Sequence, residues 1–489
     1  MTSSVLGCRV STTATPITDA RALRAAILQR LDDGARLLTF FGRRVEDDVL
    51  LTAALVDGAG AIAILRGRTA RERGFHALTA DVPAAHCFER ELHESCGLRI
   101  TGHPWRKPIR YEGGTQRDMA SYPYHVVEGK EVHEVAVGPI HAGVIEPGAF
   151  RFMCLGEQVH HLEIQLGYQH RGVEKRLLEV APRHLLPLVE TIAGDTSVAN
   201  AWAHCAAVER LADCQLTLDV EIARAICLEL ERVAMHLVGL SGLAADIGFL
   251  QGATTYGRLR TTIINTTMRL SGSRFGKGAV RPGGVGLGSA EGLRGEVEVD
   301  LASVRRDLRL VNDLFLGART VRHRLRSTGV LTRAQASELG LVGLAARSSG
   351  LPVDTRGHGE GAYGALPIAV QVREEGDCWA RALVRIAELE ASLEWIRAAL
   401  RQERGWSGER RALGPLAPEQ LAIAVVEGWR GEVVHCIETD AAGGIVHYKV
   451  QDPSFRNWMG LAVAVRENEI ADFPICNKSF DLSYCGNDL

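Results

Sequence analysis

Nowhere in this 489-residue chain are two cysteines separated by only two residues, although it carries 11 of them: Cys8, Cys87, Cys96, Cys154, Cys205, Cys214, Cys227, Cys378, Cys436, Cys476 and Cys485. A zinc knuckle or an iron–sulfur run needs that close spacing, so neither is written here. The scatter and odd number suit buried free thiols in a reducing cytoplasm. A reactive thiol would need an electropositive, exposed setting as well. Long apolar runs are also missing. Stretches such as 421–426, LAIAVV, fall far short of the roughly 20 residues that span a bilayer. The start, MTSSVLGCRVSTTATP, has neither an apolar core of signal-peptide length nor an Arg-rich amphipathic pattern. Membrane attachment is therefore expected only through partners. The net charge of −3, without a block of five like charges, gives no reason to expect nucleic acid. Serine-hydrolase elbows and zinc-protease helices are absent, and there is no internal repeat.

What is present is ordinary globular material, 46% hydrophobic and 24% charged, long enough for two or three domains. Residues 1–16 are polar and aperiodic and predict a loose tail. Thr18 or Asp19 can cap a helix to about Asp33, with Leu23, Ile27 and Leu31 on one face. Short strands follow at 36–41, 49–56 and 61–67, punctuated by Gly and Asp-Gly. These define a small α/β domain over 18–110, and the Gly- and Pro-containing stretch 111–130 reads as a linker. Beyond it, 131–489 opens with a pair of strands and turns helical over 170–275, 300–347 and 376–404. From 417 it returns to strands. The expected class is α+β: the small α/β domain, then a mainly helical domain flanked by small sheets.

Two glycine-rich stretches are decoys. GEGAYG (359–364) has dinucleotide-motif spacing, but polar residues precede it and the strand-like ALPIAVQV follows, the reverse of strand-then-helix order. SGSRFGKGAVRPGG (271–284) fails phosphate-loop spacing and has Gly278 where a hydroxyl should hold magnesium. Both predict loops. His160 and His161 fall in an alternating strand and should face opposite ways, so a shared metal is not expected.

Two helices carry charge inside apolar faces. In 221–237, Arg232 lies three residues after Glu229 and four before His236. In 376–396, Asp377 can cap while Arg381, Arg385 and Glu388 follow at spacings of four and three. A solvated, salt-bridged stripe would explain such a pattern on an average helix. The apolar remainder of both helices favours a buried polar seam of the kind that serves proton movement. Glu174, near a helix start, complements the helix dipole on the plain reading. If part-buried, its pKa would rise toward neutrality and fit a proton relay.

Along most of its length the chain resembles a known superfamily. Residues 89–104, ERELHESCGLRITGHP, resemble the signature of the thirty-kilodalton-type subunit of respiratory complex I. From VGPIHAG (137–143) onward the chain is similar to the quinone-site subunit of complex I and to the large subunit of group 4 membrane-bound hydrogenases of the formate hydrogenlyase type. HRGVEK, ELERVAMHL, RPGGV (281–285), GDCWARALVRIAE (376–388) and QDPSFRNW (451–458) carry the likeness. The two subunits are fused in one chain, as in formate hydrogenlyase.

The resemblance implies a peripheral subunit at the cytoplasmic face of the cell membrane, within a hetero-oligomeric, proton-translocating oxidoreductase. Its partners would be a small iron–sulfur subunit, which holds the electron-carrying cluster, and antiporter-like and quinone-channel-type membrane subunits. This chain would bind no cofactor of its own, with a quinone as candidate acceptor. It implies that His141 lies on the loop contributing a quinone-site histidine and that Glu174 stands on a proton-transfer carboxylate. His170 falls in the same cavity wall. The hydrogenase ligand pairs fall on Gly194 and Ser197, and on Ser454 and Asn457. None carries sulfur, and soft metals need thiolate there, so a metal-free site is expected and a working hydrogenase is not. The quinone-site Tyr also falls on Gly194. The closing stretch 476–489 has no basic or His-containing extension for a maturation protease to remove. With Glu229, Arg232, His236, Arg381, Arg385 and Glu388 as the expected proton path, the reading is quinone-type acceptor reduction coupled to proton translocation. The alternative is a non-catalytic structural or coupling subunit.

Overall fold

A computed structural model of the chain describes residues 5–112, 114, 116–141, 143, 145–288, 290–358, 361–402 and 410–489. The chain's start contradicts the expected loose tail. Leu6–Ser11 is a strand, antiparallel to Gln420–Gly428, with Leu6 opposite Val425 and Ser11 opposite Gln420. Leu6, Cys8 and Val10 alternate at the strand period and meet Leu421, Ile423 and Val425. The Ser and Thr that follow masked that alternation. The sheet continues through Gly431–Thr439 and Ile445–Gln451.

The N-terminal unit forms as its periodicity predicts. Asp19 caps the helix Ala20–Asp32, its carboxylate accepting from the Ala22 amide at 2.8 Å, and Leu23 and Ile27 are buried. Arg36–Val45, Asp48–Val56 and Ile62–Ala70 pair antiparallel, and Ile17–Asp19 joins parallel to the last. One face packs the Ala20–Asp32 and His86–Cys96 helices. The other shares Leu38, Phe41, Ala54 and Val56 with the C-terminal sheet. Arg36–Glu432 and Arg66–Glu438 ion pairs tie the same two sheets together.

The stretch expected as a linker is pinned in place. Tyr122 is buried, and the Tyr111 and Tyr124 hydroxyls both bond Gln165 on the strand Gln158–Gln165. That strand belongs to a three-stranded sheet with Val132–Val137 and Ala149–Leu155. Its register shifts between Val159 and His161, so the simple alternation expected of His160 and His161 is broken by a bulge.

The helical core centres on Leu218–Asp246, buried all round from Val220 to Leu237, with charged residues among the apolar ones. Against it pack Ser197–Leu211, Leu250–Ser271 and Cys378–Arg401. Asp377 caps the last, accepting from the Ala380 amide at 2.7 Å. The 271–284 stretch is turns with a two-residue hairpin, as expected. In the other decoy, residues 359 and 360 lie outside the described set, while Gly361–Ala365 is a short helix rather than loop. No strand forms over 366–372. Among the described residues no helix is long and apolar enough to cross a membrane.

Candidate functional site

The four thiol-free positions lie on two segments that converge on one arginine. Ser197 opens the helix Ser197–Leu211; its hydroxyl donates to the Glu190 carbonyl at 3.1 Å. Gly194 is exposed, and a Cβ built on it would meet no atom within 4 Å. Across from it, Asp452 caps the helix Pro453–Ala464 through the Ser454 amide at 2.8 Å. The Ser454 hydroxyl accepts from the Ser483 amide at 2.9 Å, and the Asn457 amide makes a two-way bond with the Val342 backbone at 3.0 and 3.1 Å. Between the segments, the hairpin joining the two central strands of the C-terminal sheet projects Arg430. It forks onto Asp195 with two 2.7 Å bonds, stacks 3.8 Å from the Trp429 ring and donates to the Asp481 carbonyl. The turn is tight: a Cβ on Gly343 would stand 2.0 Å from the Arg430 carbonyl oxygen.

His141 lies on the loop between the first two strands of the three-stranded sheet. Its Nε2 donates to the Gly148 carbonyl at 2.8 Å, and its ring is 5.8 Å from Phe150. Exposed Ile140 and Ile145 flank it. Phe150 in turn packs on Trp458, next to Asn457, and on Tyr484. The Tyr484 phenol is buried without a standard hydrogen bond, and burial pushes it up to about 12. His170 is tied to the Asp488 carbonyl at 2.8 Å and shares a small pocket with Glu174.

Glu174 departs from expectation. Burial does push its carboxyl up, but the Lys449 ammonium at 2.9 Å and Arg110 outweigh it, with the Val450 amide donating at 2.9 Å. The net shift is downward, so Glu174 is held ionised rather than poised near neutrality. Nearby a cavity of about 310 Å³, lined by Arg43, Glu91, Glu174, Lys175, Tyr448 and Lys449 among others, opens between the N-terminal unit and the C-terminal sheet.

The two charged helix faces are buried, not solvated. The Glu229 carboxylate accepts from Arg232 at 3.0 Å, Tyr363 at 2.6 Å, Ser392 at 2.6 Å and Arg356 at 3.3 Å. Glu388 accepts from Arg347 at 2.7 Å and His236 at 2.8 Å. Arg347 continues to Glu427 at 2.7 Å, and Arg356 to Asp354 at 2.6 Å. Arg232 also donates to the carbonyls of Glu427 and Gly428, at the end of the strand that leads into Arg430 and its fork on Asp195. Burial lowers His236 to about 4, leaving it neutral with Nε2–H facing Glu388. Burial raises Glu229 and Glu388, yet their arginines outweigh it and hold both below the usual carboxylate range.

Spacing along each helix does not decide all the partners. His236 bonds Glu388 across the helix interface, whereas Arg232 bonds Glu229. Arg381 and Arg385 do not join Glu388; they reach the helix Phe473–Phe480 through Ser479 and Phe480. Long guanidinium stems find free helix-end carbonyls there, which a spacing rule within one helix cannot foresee. Sequence reasoning missed Arg347, Asp354, Arg356 and Glu427, which come from two short helical turns, the loop between them and a strand. Glu231 was missed too: it accepts from the Val198 and Ala199 amides, and burial pushes it up to about 8.

Comparisons with known proteins show what the chain is similar to. Residues 246–413 match the family model for the 49 Kd subunit of respiratory-chain NADH dehydrogenase. The chain is 29% identical to the membrane-bound hydrogenase subunit alpha of Pyrococcus furiosus over 71% of its length and 85% of the relative. It is 27% identical to formate hydrogenlyase subunit 5 of Escherichia coli over 85% of its length and 77% of the relative. It is 29% identical to an NADH-quinone oxidoreductase subunit of Geobacillus thermodenitrificans over 71% of its length and 95% of the relative. A chain from the membrane-bound sulfane sulfur reductase, an archaeal respiratory membrane complex, shares the fold with a TM-score of 0.68. That likeness covers 74% of this chain and 99% of the other at 24% identity. The homologues are thus subunits of hydrogenases and of NADH-quinone oxidoreductases.

Proposed function

We propose that this chain is the large peripheral-arm subunit of a membrane-bound, complex I-like or hydrogenase-4-like oxidoreductase. It takes electrons from a small iron–sulfur subunit and passes them to a quinone-like acceptor, coupled to proton translocation. Antiporter-like and quinone-channel-type membrane subunits complete the complex at the cytoplasmic face. The observation that carries the reading is the buried network of carboxylates, guanidinium groups and His236 between the two central helices, which Arg347 and Asp354 join at 3.5 Å and which Arg232 ties to the backbone of the strand leading into Arg430. Ion pairs so buried are costly to assemble and add little stability over apolar packing, which favours a role in moving charge.

The donor set at the loops does not suit a nickel–iron centre. It comprises a glycine, two hydroxyls and an amide, and all three side chains are committed to main-chain partners. His141 is the acceptor-facing candidate. Its Nε2–H is set by Gly148, and the aromatic wall of Phe150, Trp458 and Tyr484 stands behind it. Replacing His141 by Ala should abolish acceptor reduction by the isolated complex while leaving its assembly intact. Unchanged turnover would sink the proposal.

One observation favours a second reading, a structural or coupling subunit without a substrate of its own. Glu174 is locked by Lys449 and held ionised, a poor state for a proton donor to bound acceptor. On this reading the partner's iron–sulfur cluster shows no acceptor-dependent reoxidation.

A further inference from the structure

Cys378 and Cys476 lie outside everything assigned above. Their Sγ atoms are 4.0 Å apart, both buried, where the start of Cys378–Arg401 meets Phe473–Phe480. Cys378 is the first residue of a 24-residue helix, at the positive end of its dipole. An Arg381 nitrogen lies 3.3 Å from its sulfur. The nearest carboxylate on the same helix start, Asp377, is occupied by the Ala380 and Ser327 amides. Burial pushes the Cys378 thiol up, but its contact with Cys476 and the Arg381 charge outweigh that and hold it at about 6. Cys476 moves the opposite way, upward. One sulfur is thus set as thiolate and its neighbour as thiol.

Room for the sulfurs to approach comes from Gly329. A Cβ there would stand 2.6 Å from the Cys476 sulfur and 3.4 Å from that of Cys378. With no side chain in that place, the two sulfurs have room to move toward the bonded distance of about 2.05 Å. The cation beside the pair argues against a metal between the sulfurs and for a thiolate.

We propose that Cys378 and Cys476 are a peroxide-oxidisable dithiol that closes to a disulfide joining the Cys378–Arg401 and Phe473–Phe480 helices. The Cys378 thiolate attacks one peroxide oxygen, breaking the O–O bond; the leaving oxygen departs as water after taking a proton, and Cys378 becomes a sulfenic acid. The Cys476 sulfur then displaces the hydroxyl from that sulfenic acid, and its own proton leaves with the hydroxyl as a second water. Two thiols lose two electrons and one peroxide gains them. The bond locks the helix whose Ser479 and Phe480 receive Arg385 and whose following residue, Asp481, receives Arg430. The dithiol therefore couples the redox state of its surroundings to the seating of the converging loops.

The test is peptide mapping of the full chain, purified without oxygen, dosed with hydrogen peroxide and alkylated in denaturant. The expected result is a linked Cys378–Cys476 peptide, reversed by dithiothreitol, forming about tenfold faster than loss of the Cys8, Cys214 and Cys485 thiols, which are more exposed but are held protonated where Cys378 is a thiolate. In Cys476→Ser, dimedone should trap Cys378 as sulfenic acid, and in Cys378→Ser the Cys476 thiol should stay reduced at the same dose. Prior loss of Cys8, Cys214 or Cys485, or oxidation of Cys476 without Cys378, overturns the proposal. If either serine variant fails to fold, the wild-type map decides by itself.

Discussion

Replacing His236 by Gln gives a quantitative reading of the buried network. His236 has no solvent exposure, its Nε2 faces Glu388 at 2.8 Å, and burial takes its pKa from 6.5 to about 4. In the unfolded chain the imidazole protonates below about pH 6.5, whereas in the folded chain it stays neutral until about pH 4. Between these values the unfolded state binds the extra proton, so stability falls as pH falls. At 1.36 kcal/mol per unit, this one group costs about 2 kcal/mol at pH 5 and about 3 kcal/mol below pH 4. Gln keeps a donor toward Glu388 and does not titrate. Glu388 does not blur the window, because its folded pKa lies well below the ordinary value of 4.5. The other histidines lowered to about 4, such as His204 and His447, contribute equally to both proteins and cancel. Urea unfolding of wild type and variant, under reversible conditions, should show a gap that shrinks by about 2 kcal/mol between pH 7.5 and pH 5. A gap that stays constant would mean that His236 titrates alike in both states. The network would then be hydrated, and its proposed role would lose its basis.

Gly343→Ala should destabilise the chain by about 2–4 kcal/mol, because the residue has φ +62° and its new methyl would meet the Arg430 carbonyl oxygen at 2.0 Å. Thermal unfolding checks the size, and a wild-type melting curve would refute the packing of the Arg430 turn. Deleting residues 1–12 should cost about 2–4 kcal/mol and cause self-association, since it uncovers the edge strand that presents Leu421, Ile423 and Val425. Size-exclusion chromatography with light scattering reads the second effect, and a stable monomer would count against the pairing.

The legibility of this protein divides by the range of the interaction. Local periodicity was enough for the Asp19-capped helix, the three N-terminal strands and the strands after 417, because caps and alternation act within a few residues. The same logic placed Glu229, Arg232, His236 and Glu388 on apolar faces, where only a buried seam could hold them. It failed for Leu6–Ser11, whose strand exists only because Gln420–Gly428 offers an edge more than 400 residues away. It also failed for Arg381 and Arg385, whose partners lie on the C-terminal helix.

The sequence by itself determined which side chains can do chemistry: no thiol at Gly194, Ser197, Ser454 or Asn457, and charged residues at helical spacing in apolar surroundings. Tertiary structure decided what those groups became. It brought Lys449 to Glu174 and so set the opposite sign of pKa shift from the one burial alone predicts. It supplied Arg347, Asp354, Arg356 and Glu427 from separate segments to complete the network, and it laid two cysteines 98 residues apart side by side. The reason is the distance over which charge acts. Within a buried site a carboxylate answers to the cation about 3 Å away, and which cation that is depends on how distant parts of the chain cross.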